Sequence, residues 1–124
     1  MFGFEKLEVC QRTRKFTNRI YKVTSNYPAQ EQFSLIQHTR KSTISILSNI
    51  AEATSRFGKA DFKRFIEMAI GSLYETVTQL FIALDNDYLK QTVFDELYIE
   101  SEIIVKMLSN LSKSKKPSTI DHRP

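Results

Sequence analysis

Residues 62–84 read FKRFIEMAIGSLYETVTQLFIAL, and this stretch decides the fold class. Phe62, Phe65, Ile66, Ala69, Leu73, Val77, Leu80, Phe81 and Leu84 recur at steps of three and four, the repeat of a helix with one buried face. Asp61 suits the start of that helix, as an N-cap or as an anion in the first turn. Asp85-Asn86-Asp87 supplies turn-favouring residues at its end. The spacing therefore predicts a helix over 61–84.

The same repeat runs through the rest of the chain. Leu7, Cys10, Phe16, Thr17, Ile20, Tyr21 and Thr24 predict a helix over 5–26, stopped by Pro28, which pushes the residue before it out of the helical region. Phe33, Ile36, Thr43, Ile44, Leu47, Ile50 and Ala51 predict a second over 30–55, with Gly58 suited to a left-handed stop in the break Arg56-Phe57-Gly58-Lys59. Phe94, Leu97, Tyr98, Ile104, Val105 and Leu108 predict a fourth over 88–111. Connections this short make consecutive helices antiparallel neighbours. The expected fold is all-α, an up-down-up-down four-helix bundle occupying 1–112, followed by a disordered basic tail over 113–124. Only three glycines and three prolines occur in 124 residues, too little punctuation for a sandwich or barrel.

Composition narrows the function classes. The chain has one cysteine, Cys10, so an internal disulfide is excluded and a reducing compartment is expected. No apolar run reaches the roughly 18 residues that span a bilayer, and the start Met-Phe-Gly-Phe-Glu lacks a secretory pattern. These features predict a soluble cytoplasmic protein with no membrane partner. We find no phosphate loop, nucleophile elbow or metal-ligand spacing. His38 and His122 are too few and too far apart for a metal site, and Cys10 has the phase of a small buried hydrophobe. Glu52 and Glu75 are carboxylates with no sign of a substrate pocket near them. The expectation is a protein without catalysis, metal or cofactor.

Charge is distributed unevenly. Residues 1–64 hold 12 Lys/Arg against 5 Asp/Glu, a balance of +7, and residues 65–124 hold 6 against 9, a balance of −3. Arg12, Lys15, Arg19 and Lys22 form a stripe at steps of three, four and three, opposite the apolar side of the first helix. No acid lies between Glu8 and Glu31 to neutralise it. Lys41 on the second helix and Arg56, Lys59, Lys63 and Arg64 around the second turn add to the positive half. Cations in a row can follow a phosphate backbone and release its counterions, a source of affinity that carries no sequence information. A solvated helix face is the plainer explanation of the same stripe. The stripe itself contains no aromatic residue, which argues against reading of single-stranded bases there.

A second pattern concerns self-association. Opposite their core positions, the second helix presents Ser45, Ser48, Asn49 and Glu52, and the third presents Met68, Gly71, Ser72, Glu75, Gln79 and Ile82. Gly71 inside a helix costs about 1 kcal/mol relative to alanine, a cost best explained by a close backbone approach. Ser45, Ser48, Asn49, Glu52, Met68, Gly71, Ser72 and Glu75 therefore read either as a solvated face or, the reading we favour, as a subunit interface. Arg40 has an apolar-side phase, so it snorkels outward or, if buried, pairs with Glu75 or Glu67.

The run Arg40-Lys41-Ser42-Thr43-Ile44-Ser45-Ile46-Leu47-Ser48-Asn49-Ile50-Ala51-Glu52 resembles the signature of the 23S rRNA intervening-sequence proteins, also labelled S23 ribosomal proteins. Further matches are Phe4-Glu5-Lys6-Leu7-Glu8-Val9, Tyr21, Tyr27-Pro28-x-x-Glu31-x-Phe33, Arg56, Phe62, Phe65 and Ala69-x-Gly71-Ser72-x-x-Glu75. The resemblance covers roughly residues 4–110. It departs from the family at Leu47, Ala53 and Cys10, where proline, glycine and tryptophan are common. It implies a small bacterial four-helix-bundle protein, assembled as a basic, barrel-like homopentamer, with no established catalytic residues. It also implies a likeness in fold to the accessory variability protein of diversity-generating retroelements, which binds nucleic acid beside a reverse transcriptase. The resulting expectation is an oligomeric protein that contacts structured RNA, in preference to DNA, through Arg12, Lys15, Arg19, Lys22, Lys41, Arg56, Lys59 and Lys63. The alternative is a protein–protein adaptor, for example of a reverse transcriptase, with no direct nucleic-acid role.

Overall fold

The computed structural model describes residues 1–113. The expected tail over 113–124 therefore lies, apart from Lys113, outside the described residues, as does His122. Four α-helices account for most of the described chain: α1 (Glu8–Thr24), α2 (Gln37–Thr54), α3 (Lys59–Asp85) and α4 (Gln91–Ser112). No strand occurs among the described residues. α1 packs on α2 and α4, and α3 packs on α2 and α4, with α2 and α3 the most closely paired. Cross-helix bonds give the directions. Ser42 meets Thr76 where Ser45 meets Ser72, and Arg12 meets Glu100 where Arg19 meets Glu96, so both pairs of helices run antiparallel.

The core is a ladder at steps of three and four on every helix. α1 buries Val9, Cys10, Thr13, Phe16, Ile20 and Thr24, and α3 buries Phe62, Ile66, Ala69, Leu73, Thr76, Leu80 and Ala83. Fully burying one isoleucine or leucine of this set stabilises the fold by about 1.5–3 kcal/mol. Threonine is unusually frequent inside. The hydroxyls of Thr13, Thr24, Thr39 and Thr43 each donate to the carbonyl four residues earlier, at 2.6–2.7 Å, so burial strands none of these four.

Several residues expected inside lie outside. The chain enters α2 through a 3₁₀ turn (Ala29–Glu31) and a wide π-type turn (Gln32–Ile36). The extra residue in that turn swings Phe33 off the buried face, leaving it 80% exposed. The turn buries Ile36 and α2 continues that face with Thr39, Thr43, Ile46, Ile50 and Ala53, while Ile44 is turned outward. Tyr21, Phe81 and Tyr98 are also exposed at the edges of their helices.

The turns differ from expectation as well. Gly58 is extended (φ −80°, ψ 139°) and precedes α3 as its N-cap, so it is no left-handed stop, and α3 begins at Lys59 with Asp61 in its first turn. Among the described residues the left-handed one is Asp87 (φ 61°). Tyr88 N–H reaches Ala83 O at 2.9 Å and Asp87 N–H reaches Leu84 O at 3.1 Å, the paired bonds of a Schellman stop. At the first turn the Tyr88 hydroxyl donates to Glu31 Oε2 (3.0 Å) and the Ser34 hydroxyl to Glu31 Oε1 (2.6 Å). These bonds, Ser34's foremost, hold the Glu31 carboxyl below its ordinary value.

Candidate nucleic-acid interface

At about 100° per residue, the α1 stripe divides by azimuth. Arg12 and Arg19 lie on the flank nearest α4, and Lys15 and Lys22 lie about 40–80° further round, directly opposite the core. The consequence is visible across the groove. Arg12 Nε and Nη2 donate to Glu100 Oε2 and Oε1 at 2.9 and 3.0 Å, a two-pronged pair. Arg19 Nη2 donates to Glu96 Oε1 at 2.6 Å. Glu100's hydrogen bond, and then its charge, raises the Arg12 guanidinium above its ordinary value. The stripe is thus not free of acids, because two carboxylates reach it from α4, some 80 residues away in sequence. Lys15 and Lys22 are exposed and make no ion pair among the described residues. Arg12, Lys15, Arg19, Glu96 and Glu100 line a groove of about 340 Å³ between α1 and α4.

The remaining expected cations are elsewhere. Lys41 borders a cleft of about 450 Å³ between α2 and α3, with His38, Ser42, Ser45, Ser72, Glu75 and Gln79. The α1–α4 and α2–α3 pairings are opposite sides of the four-helix array, so Lys41 does not extend the α1 stripe. Arg56, Lys59 and Lys63 cluster at the α2–α3 turn. Arg56 bonds Glu52 Oε2 at 2.8 Å and its guanidinium carbon lies 4.7 Å from the centroid of the Phe65 ring. Arg64 lies over the same ring at 4.4 Å and reaches Asp61 at 3.6 Å. The eight cations therefore form three groups rather than one surface.

The small residues singled out for self-association also separate. Ser45 and Ser72 bond each other at 2.9 Å, and Asn49 donates to the Ser45 carbonyl and hydroxyl. With Ser42 and Thr76 at 2.7 Å, they form the seam that lets α2 and α3 of one chain approach closely. Gly71 does not belong to that seam. It is exposed, and a Cβ built on it meets nothing within 4 Å. Ser48, Glu52, Met68 and Glu75 are exposed beside it or across from it. Arg40 meets neither Glu75 nor Glu67. Its guanidinium closes the C-terminal end of α1, donating to the Thr24 hydroxyl (2.9 Å), the Tyr21 carbonyl and the Ser25 hydroxyl (both 3.1 Å), where the helix dipole favours a cation.

A larger feature was not evident from the sequence. α3 and α4 enclose an open groove of about 600 Å³ lined by Tyr74, Val77, Phe81, Tyr98 and Val105, with Glu102 and Lys106 at its edge. Phe81, Phe94 and Tyr98 form an aromatic cluster there, with ring centroids 4.8–6.1 Å apart. Tyr74, Phe81 and Tyr98 are too many rings for one stripe, but periodicity alone gives Phe81 and Tyr98 core phases. Among the described residues, no group of three or more His, Cys, Asp or Glu side chains is placed to hold a metal. No described helix is long and apolar enough to cross a membrane.

Comparison with known proteins adds the remaining findings. The model of the family described as 23S rRNA-intervening sequence protein matches residues 5–110. No curated protein matches the chain. Among solved structures, a protein of unknown function from the S23 ribosomal protein family of Bacteroides thetaiotaomicron VPI-5482 is similar, with a TM-score of 0.79 and 23% identity. The match covers 86% of this chain and 96% of that one. At that identity the likeness concerns the fold.

Proposed function

Because this chain belongs to the 23S rRNA-intervening sequence protein family, we propose that it is a non-enzymatic, homo-oligomeric protein that binds the phosphates of structured RNA, in preference to DNA, in the cytoplasm. The observation that carries this reading is the pair Lys15 and Lys22. Both lie on the outermost line of α1, both are exposed, and no described carboxylate is spent on either. Lysines at the tip of a helix ridge meet phosphate oxygens as point charges and release counterions. Assembly into a ring, a pentamer by the family resemblance, would repeat the pair around one particle and multiply its effective concentration.

Burial removes the one thiol as a candidate nucleophile. Cys10 is enclosed in the core, and burial pushes its pKa up to about 12, so the nucleophilic thiolate is strongly disfavoured. For the assembly, the apolar surface that another copy would cover is exposed on α3 and α4, at Met68, Tyr74, Phe81, Ile82, Tyr98 and Ile99. The same surface favours a second reading, an adaptor that docks a partner protein in the α3–α4 groove. Lys15→Glu/Lys22→Glu separates the two. Loss of RNA binding with helicity and particle mass unchanged supports the nucleic-acid reading, and unchanged RNA affinity refutes it.

A further inference from the structure

The α2–α3 turn carries an aromatic ring where the α1 stripe carries none. Phe57 is 80% exposed at the corner, flanked in sequence by Arg56 and Lys59. Phe65 lies nearby in the fold, under the guanidinium groups of both Arg56 and Arg64. Stacking on Phe65, together with Glu52 and Asp61, holds these two planar cations in place. Both keep about half of their side-chain surface open, 41% for Arg56 and 57% for Arg64. Glu52 and Asp61 are engaged by the arginines, and Lys59 and Lys63 make no ion pair among the described residues.

An exposed ring among cations is poorly suited to an apolar protein partner, which would have to desolvate the charges to reach it. It is well suited to a ligand that carries a flat π-face and an anionic backbone on the same chain. We propose that the corner formed by Arg56, Phe57, Lys59, Arg64 and Phe65 is a second contact with RNA, which stacks one unpaired base on Phe57 and holds its flanking phosphates on the cations. This rests on the nucleic-acid reading above and refines it. The corner selects a loop or bulge. Stacking needs no base identity, so the site discriminates unpaired from paired nucleotides and not one base from another.

The chain contains no tryptophan, so Phe57→Trp introduces a single reporter. We would titrate it with an RNA hairpin that has an unpaired loop and with a blunt duplex of the same stem. The expected result is saturable quenching by the hairpin and little by the duplex. In parallel, Phe57→Ala should weaken hairpin binding about tenfold and leave duplex binding and helicity unchanged. Equal effects on both RNAs, no effect on either, or a fall in particle mass on Phe57→Ala would overturn the stacking site, the last by marking Phe57 as a subunit contact. If the unaltered protein binds neither RNA, both the stacking site and the proposed function fail. If it binds both but ignores Phe57, only the stacking site fails.

Discussion

The division of the α1 stripe into paired arginines and unpaired lysines makes a quantitative prediction. Each phosphate neutralised contributes about 0.9 to the slope of log affinity against log salt, which is about a 3.5-fold loss of affinity between 50 and 200 mM salt. If Lys15 and Lys22 each hold a phosphate, Lys15→Gln/Lys22→Gln should lower the slope by about 1.8 per bound chain, or about twelvefold less salt sensitivity over that range. Arg12→Gln/Arg19→Gln should change the slope by less than about 0.5, because those guanidinium groups already spend their charge on Glu100 and Glu96. Glu96→Gln/Glu100→Gln should act in the opposite direction, freeing both arginines and raising the slope by up to about 1.8. The assay is fluorescence anisotropy with a labelled RNA hairpin, with circular dichroism to check that each variant keeps its helices. If the arginine variant loses as much slope as the lysine variant, the carboxylates do not mask the arginines and the reasoning is wrong.

Three further outcomes follow from other parts of the fold. Gly71→Leu should stabilise α3 of the isolated chain by up to about 1 kcal/mol, since the site is open, yet yield smaller species by sedimentation. A particle of unchanged mass counts against that face as an interface. Asp87→Gly should stabilise by about 0.5–1 kcal/mol in urea unfolding, because glycine adopts the left-handed φ of 61° without strain, and a destabilised variant would contradict the assigned stop. Stability should also fall in alkali. Burial raises Cys10 from 9.0 and Tyr27 from 10.0, each to about 12. Above pH 9 the unfolded chain therefore loses protons that the folded chain retains, and the urea midpoint should decline steadily from pH 9 towards 12. Cys10→Ala should delay the onset of that decline by about a pH unit, to the range where Tyr27, raised by burial, and Tyr88, raised by its hydrogen bond to Glu31, still contribute; a midpoint flat to pH 11 in the unaltered protein would refute the burial argument.

The four helices were legible because each core ladder is long and its breaks are chemically marked, by Pro28, by Arg56 to Lys59 and by Asp85 to Asp87. What escaped was whatever depends on a neighbouring helix or on a local change of repeat. Phe33 has a buried phase only if a regular helix runs through what is a π-type turn. Ser45 and Ser72 bond each other within one chain, whereas small residues in a sequence signal close approach without saying to which helix. The acids that meet Arg12 and Arg19 come from α4, and a search along α1 alone does not reach them. Arg40 illustrates the same limit: its apolar phase was correct, but its partners are the carbonyl and hydroxyls at the end of α1 and not a carboxylate. The cations themselves were all identifiable, whereas their division into three groups required the packing of the helices.

The most direct test of the central claim is the affinity of the unaltered protein for a labelled RNA hairpin and for the equivalent DNA duplex across a salt series. The account predicts micromolar or tighter binding to the RNA, weaker binding to the DNA, and a log–log salt slope of several units. No binding to RNA even at low salt would contradict it, and would leave Lys15 and Lys22 as a solvated ridge or as the docking surface for an acidic protein.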